Sequence, residues 1–287
     1  MNKNDLIKIA SDFVERSEDN LISKEVAISE NVVGIRIFQT PIFACAKADD
    51  EKFYLLKDPS SIGKHFILPQ EWLPQSKTVI SFFLPFTERI RESNARDMSW
   101  PSEEWLHGRI EGQSFIGKLC LYLKSELLNA GYQCIVPSLD ERFWVKLGLN
   151  NISPYPDNTE ETSLSFTSNW SERHVAFVCG QGTFGLSKGL ITRKGIAGRF
   201  GSIITDLSLS PDKRDYKDIY EYCLMCGKCG KNCPASAISI EKGKNHNKCA
   251  EFLDKTAQRF KPRVGCGKCQ INVPCESGRP GKNSLTI

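Results

Sequence analysis

The feature that most constrains this chain is a cysteine-rich run from Cys223 to Cys275. It begins Cys223-Leu-Met-Cys226-Gly-Lys-Cys229-Gly-Lys-Asn-Cys233-Pro234. It continues through Cys249 to Cys266-Gly-Lys-Cys269 and, past Gln-Ile-Asn-Val-Pro, to Cys275. The first part is the C-x2-C-x2-C-x3-C-P pattern, in which three close thiolates grip one iron–sulfur cubane and the fourth reaches a second. Two 4Fe–4S clusters need eight thiolates, and eight of the 12 cysteines lie in this run. By ferredoxin logic Cys223, Cys226 and Cys229 hold one cluster with Cys275, which returns from the end of the segment. Cys233, Cys249, Cys266 and Cys269 hold the other. Zinc prefers paired ligands around a tetrahedron, which a triple repeat ending in Cys-Pro matches poorly. A disulfide framework calls for a secreted chain.

A segment this short makes little hydrophobic core, so its stability comes largely from its metal sites. The full 287 residues suit one larger domain beside it. We therefore expect an α+β protein, with a layered α/β cofactor or substrate domain over residues 1–212 and a small ferredoxin-like double-cluster domain over 213–287. The formal charge of +4 is offset by roughly −2 from each cluster, which leaves no charge argument for nucleic-acid binding. Lys228, Lys231, Lys242, Lys244 and Lys248 make a local basic patch, read first as a solvated face. The polar start Met1-Asn-Lys-Asn-Asp lacks the apolar run of a signal peptide, and no stretch of about 18 apolar residues predicts a membrane span. The expected compartment is the reducing cytoplasm.

Leu6, Ile9, Ala10, Phe13 and Val14 have helical spacing. Val33, Ile35 and Ile37 alternate as in a strand, with Ile42 to Ala46 expected as its neighbour. The run Thr78 to Leu84 before Pro85 predicts a central strand covered on both faces. Thr87 to Glu104 is polar and charged, a surface loop or lid. From about Pro101 a long helix presents Ile116, Leu119, Leu123 and Leu127, with Phe115 and Tyr122, and stops at Gly131. Tyr132 to Val136 is a further strand. Residues 137–169 read as irregular, with Tyr155 and Asp140-Glu141-Arg142 beside any pocket they cover. Cys45, Cys120, Cys134 and Cys179 lack ligand spacing and are expected to be buried thiols.

A second informative stretch spans residues 169–206. Gly180, Gly182 and Gly185 spell G-x-G-x-x-G, but a dinucleotide site needs a strand before the glycines and a helix after them. Here Asn169 with Glu172 forms a capping-box pattern, so Trp170 to Cys179 reads as helix. The dense glycines beyond Gly185 forbid another helix. They fit a backbone that passes close to a large ligand or a cluster. His174 reads as a packed structural group, with axial ligation or proton donation as the alternative.

Glu172-Arg173, the loop Gly180-x-Gly182-Thr183-x-Gly185-x-x-Lys188, Gly201-Ser202 and the eight cysteines together resemble the epoxyqueuosine reductase family. More distantly they resemble the corrinoid reductive dehalogenases. The resemblance implies a nitroreductase-like, cobalamin-binding α/β domain joined to paired 4Fe–4S clusters. It implies cofactor contacts from Gly180, Gly182, Thr183, Gly185, Lys188, Gly201 and Ser202. Epoxyqueuosine reductases place an aspartate several residues before the Glu-Arg pair as proton donor, whereas Thr162 to Ser171 holds no acid. The chain also ends soon after Cys275, without the family's helical-repeat extension, and Gln270 to Cys275 is longer than the usual last segment. These departures point to a paralogue with other chemistry than tRNA epoxyqueuosine reduction. Two functions follow. One is a corrinoid-linked reductase with Glu172, Arg173, His174 or Tyr155 handling the proton and a ferredoxin- or flavodoxin-type donor. The other is an electron-transfer protein without substrate chemistry, which docks a corrinoid protein or binds a flavin instead.

Overall fold

The computed structural model describes residues 1–147, 152–153 and 166–281. The opening helix α1 (Lys3–Arg16) starts from Asn2, whose side chain accepts backbone N–H groups while Asp5 returns the favour to the Asn2 N–H. That reciprocal cap satisfies donors which a helix start otherwise leaves bare. Leu6, Ala10 and Val14 form its buried stripe.

Strand β1 (Ile42–Lys47) follows, then short helices α2 (Glu51–Leu55) and α3 (Pro69–Trp72), and strand β2 (Thr78–Pro85). Every position of β2 is buried. Helices α4 (Glu88–Arg96) and α5 (Glu103–Asn129) come next, with Ser102 capping α5. Strand β3 (Cys134–Ile135), the three short strands β4 (Val145–Leu147), β5 (Ile152–Ser153) and β6 (Phe166–Ser168), and helix α6 (Glu172–Val178) lead to the glycine-rich stretch. There β7 (Gly182–Phe184) and β8 (Leu190–Thr192) make a hairpin, and β9 (Gly198–Thr205) returns to the centre of the sheet. The cysteine region holds α7 (Lys228–Lys231), the small hairpin β10 (Ile238–Ser239) and β11 (Gly243–Lys244), and α8 (His246–Arg259).

The main sheet is antiparallel, in the order β1-β2-β9-β3. One face packs Ile80, Phe82, Leu84 and Ile203 against α1 and the Phe115, Ile116, Leu119, Leu123 and Leu127 side of α5. The other packs Val79 and Ile204 against Trp170, Val175 and Val178. Trp170 is fully buried between the stacked Phe66 and the edge-on Trp72. Two covered faces explain why β2 reads as an unbroken apolar run.

Several expectations are corrected. Val33 to Ile37 is no strand: a 3-10 turn at Glu30–Val32 leads to Gly34 at φ +74°, and only isolated bridges follow. The neighbour of β1 is therefore β2. The charged segment Thr87 to Glu104 is mostly the helix α4, whose Ile90, Ser93 and Asn94 are buried. Tyr122 is partly exposed and stacks on Phe13 at 4.8 Å. Asn169 does not cap α6, which begins after Ser171. Its side chain instead accepts the Trp144 N–H and donates to the Arg142 carbonyl. Arg142 itself pairs with Asp140 and lies over the Trp72 ring, so this trio braces α3. The buried thiols Cys45, Cys120, Cys134 and Cys179 are as expected. Tyr155 lies outside the described residues.

The two regions interlock. Asp212 accepts the Cys45 N–H and pairs with Lys3, and Arg214 pairs with Asp50, so the connecting segment is strapped to the sheet. At the far end the Ile196 N–H donates to the Cys275 carbonyl at 2.9 Å, and the Ala197 N–H to Glu276 at 3.1 Å. A Cβ on Gly195 would stand 2.2 Å from the Glu276 carbonyl, so only glycine (φ +80°) permits that closure.

Candidate functional site

The cysteines meet in two sets. Cys223, Cys226, Cys229 and Cys275 ring one small cavity, walled by Leu186, Ile191, Ile196 and Val273. Burial and the neighbouring thiols push Cys229 up to about 11 and Cys275 up to about 12. Thiols that raise one another's pKa stand close together, and ionising them all needs a strong positive centre. The Leu186 N–H points at Cys223 Sγ at 3.4 Å. Cys226 is the exposed member of the set.

The second set is Cys233, Cys249, Cys266 and Cys269. Burial raises Cys269, reinforced by Cys249 and Cys233, and burial with Cys269 and Cys249 pushes Cys266 up to about 12. The Ala237 N–H donates to Cys233 Sγ at 3.3 Å. Cys229 and Cys269 also sense each other, so the two sets adjoin. Among the described residues no three Cys, His, Asp or Glu side chains stand closely enough to hold a single metal ion. A ring of thiols around a wider space, with backbone N–H groups aimed at sulfur, is the donor arrangement of a cubane.

A Cys-Gly-Lys-Cys turn occurs in each set. Gly227 and Gly267 both sit at φ +71° and open a short helical turn, which swings the next cysteine back toward the first. The lysines then diverge. Lys228 is exposed, whereas Lys268 is fully buried and donates to the Asn94 carbonyl at 2.6 Å and to Asn94 Oδ1 at 2.8 Å. Asn94 in turn donates to the Cys266 carbonyl. A Cβ on Gly267 would fall 2.0 Å from the Trp105 ring, so α5 presses directly on this turn.

Toward the sheet from the second set lies a group of polar side chains, of which Glu172 is unpaired. Both Glu172 oxygens are buried without a hydrogen-bond partner. Burial pushes this carboxyl up to about 7, with the Ser202 hydroxyl near enough to lower it somewhat but not in good bonding geometry. Ser202 itself accepts the Trp170 indole N–H at 2.9 Å. Arg173 is solvent-accessible, yet surrounding protein lowers its pKa and the Cys269 and Cys249 thiols pull it back up. Those two facts describe a side chain lining an internal opening beside the second set. His174 is held near 4 by burial and by Arg173 and Lys188, and its Nδ1 meets Ser171 Oγ at 2.8 Å. It packs at a tilt against Phe184 as a neutral ring, with centroids 4.9 Å apart.

The glycine loop finds its reasons within the chain. A Cβ on Gly182 would lie 1.9 Å from the Ile191 carbonyl across the hairpin, and one on Gly201 would lie 2.4 Å from the Phe82 ring. Gly180 ends α6 at φ +93°. Thr183 Oγ1 accepts the Tyr222 N–H, and Lys188 hydrogen-bonds Tyr220 while its carbonyl takes the Arg173 guanidinium. Of the residues expected to hold a large cofactor, Gly185 faces the first thiol cavity and Ser202 faces Glu172. The others tie the hairpin to its surroundings. Sequence reading missed Arg109, Gln113 and Arg199, which gather at the same opening. Their only sequence signal was the i,i+4 pair Arg109/Gln113 on an otherwise ordinary helix face.

These features define an α+β protein with a ferredoxin-like cysteine region folded onto an antiparallel sheet. No family model matches the chain. Over 97% of its length it superposes on an epoxyqueuosine reductase solved with a tRNA-Tyr stem loop (TM-score 0.53, 16% identity), covering 66% of that chain. Over 86% it superposes on a catabolic reductive dehalogenase (TM-score 0.51, 14% identity), covering 32% of that chain. A 69-residue stretch is 44% identical to the tetrachloroethene reductive dehalogenases of Desulfitobacterium hafniense and Dehalobacter restrictus, which is 24% of this chain and 12% of each relative. The chain shares the fold of these two proteins while spanning at most about two-thirds of their length. Among the described residues no helix is long and apolar enough to cross a membrane.

Proposed function

We propose that the chain is a reductase that passes low-potential electrons through two 4Fe–4S clusters to a corrinoid, in a reaction that also takes up a proton. The clusters and the corrinoid supply the electron chemistry when bound. Cys223, Cys226, Cys229 and Cys275 hold the first cluster, whose exposed Cys226 side faces a ferredoxin- or flavodoxin-type donor. Cys233, Cys249, Cys266 and Cys269 hold the second, with Arg173 compensating their negative charge. We divide the chain functionally at residues 212 and 213, although the segment there is strapped to the sheet.

The proton belongs to Glu172. A buried carboxyl without partners, with its pKa raised to about 7, holds its proton in about half of the molecules at neutral pH and can both give it up and regain it. It stands in for the aspartate that residues 162–171 lack. His174 is unsuited, since it carries no proton to give at pH 7. The observation that carries the proposal is the sequence in space of two adjoining four-thiol sets, Arg173, and an orphan acid. The corrinoid rests on the fold likeness and on that unpartnered acid, because the glycine loop packs on the chain itself. That self-packing favours, as a second reading, an electron-transfer protein that serves a partner's corrinoid or holds a flavin.

Anaerobic reconstitution with iron, sulfide and hydroxocobalamin, followed by desalting and metal analysis, separates them. About eight iron and one cobalt per chain support the reductase. Eight iron with no retained cobalt favours the electron-transfer reading, and four or fewer defeats both.

A further inference from the structure

Three arginines converge where α5, α6 and β9 face the second thiol set. The Arg109 side chain lies against Gly265, 3.6 Å from where a Cβ there would stand. Arg173 donates to the Lys188 carbonyl at 2.9 Å. Arg199 donates through Nη2 to Gln113 Oε1, while its Nε is buried with no partner. Among the described residues none of the three belongs to an ion pair, whereas Arg89, Arg91, Arg142, Arg214, Arg263 and Arg279 all do.

Their charges oppose one another. Burial and repulsion from Arg109 and Arg173 bring Arg199 down to about 9, and burial with Arg173 lowers Arg109. Arg173 alone is answered, by Cys269 and Cys249. Among the described residues neither Arg109 nor Arg199 has a carboxylate partner, and the buried Nε of Arg199 has no acceptor, which leaves a guanidinium N–H donor for an anion to satisfy. A planar guanidinium with free N–H groups suits the paired oxygens of a carboxylate or phosphate.

We propose that Arg109 and Arg199, with Gln113 orienting the latter, form an oxyanion site that takes the carboxylate or phosphate of the substrate. The assignment of that anion to the substrate rests on the reductase reading. The site restricts substrates to anionic molecules and holds their charged end beside Arg173, with the reducible end left facing Glu172.

The test is calorimetric titration of the iron- and sulfide-reconstituted protein, kept anaerobic, with benzoate and with inorganic phosphate. Arg199→Gln and Arg109→Gln are compared with Arg193→Gln, which removes an exposed arginine. Arg199→Lys keeps the charge but loses the planar fork, and serves if the glutamine variant folds poorly. Saturable binding of either anion is expected in the parent and in Arg193→Gln. Binding about tenfold to a hundredfold weaker is expected in the Arg109 and Arg199 variants, the usual loss for a charged hydrogen bond. Absence of saturable binding in the parent, or equal binding in all variants, overturns the proposal. Iron analysis of the same samples keeps the two readings apart: full iron with no anion binding refutes the oxyanion site alone. A further arm adds cobalamin or cobinamide, which lacks the nucleotide phosphate. If only cobalamin displaces the anion, the site serves the cofactor's phosphate and the substrate assignment falls.

Discussion

Glu172 shows how one residue's surroundings set its chemistry. Its carboxyl moves from 4.5 up to about 7 because burial penalises the charged form by more than the nearby Ser202 hydroxyl offsets. In the unfolded chain it ionises at the ordinary value, so between about pH 4.5 and 7 the unfolded state has released a proton that the folded state keeps. Stability therefore falls as pH rises through that window, by up to about 3 kcal/mol, and levels off above it. Glu172→Gln should erase this slope and be the more stable protein at pH 8. Parallel melting curves of parent and variant from pH 5 to 8 would refute the raised carboxyl.

At the scale of elements, the Cys-Gly-Lys-Cys turns allow a paired comparison. Alanine at Gly267 faces both the left-handed backbone, about 1–2 kcal/mol, and the Trp105 ring. Overpacking of that kind adds about 1–3 kcal/mol. At Gly227 the same methyl meets only the end of the exposed Ile240 side chain at 3.1 Å. Gly267→Ala should thus drop reconstituted iron from about eight toward about four per chain, while Gly227→Ala retains more. Equal iron in the two variants would show that Trp105 does not control the turn. These elements were legible in uneven degree. The cysteine spacing announced the two thiol groupings because covalent spacing dictates which thiols can come together. β2 was legible because both of its faces are covered. Val33 to Ile37 misled because alternation also arises in a turn that pins single side chains to a core. α4 was hidden because a helix with one narrow buried stripe resembles a charged loop. Arg199 was invisible because its meaning depends on Arg109, which is distant in sequence and adjacent only after folding.

Across the whole molecule, the cysteine region and the sheet brace each other. The Cys275 and Glu276 carbonyls hold the Ile196 and Ala197 N–H groups, and Arg91 on α4 pairs with Glu276 at 2.6 Å. Removing iron would leave four crowded thiols with nothing to draw them together, so the stabilisation lost there would reach β9. Chelation should lower the thermal midpoint and also speed amide hydrogen exchange at Ile196 and Ala197. Unchanged exchange at those two amides after iron loss would mean that the regions are stable independently.

That clasp also imposes an order in time. A ribosome delivers Cys223, Cys226 and Cys229 well before their fourth companion, and Cys233 and Cys249 before Cys266 and Cys269. The seat for Cys275 is the backbone at Ile196, in the bend between β8 and β9. The proposed second cage closes only at Cys269 and the first only at Cys275, so iron that meets the Cys223-to-Cys233 run alone would find neither ligand set whole.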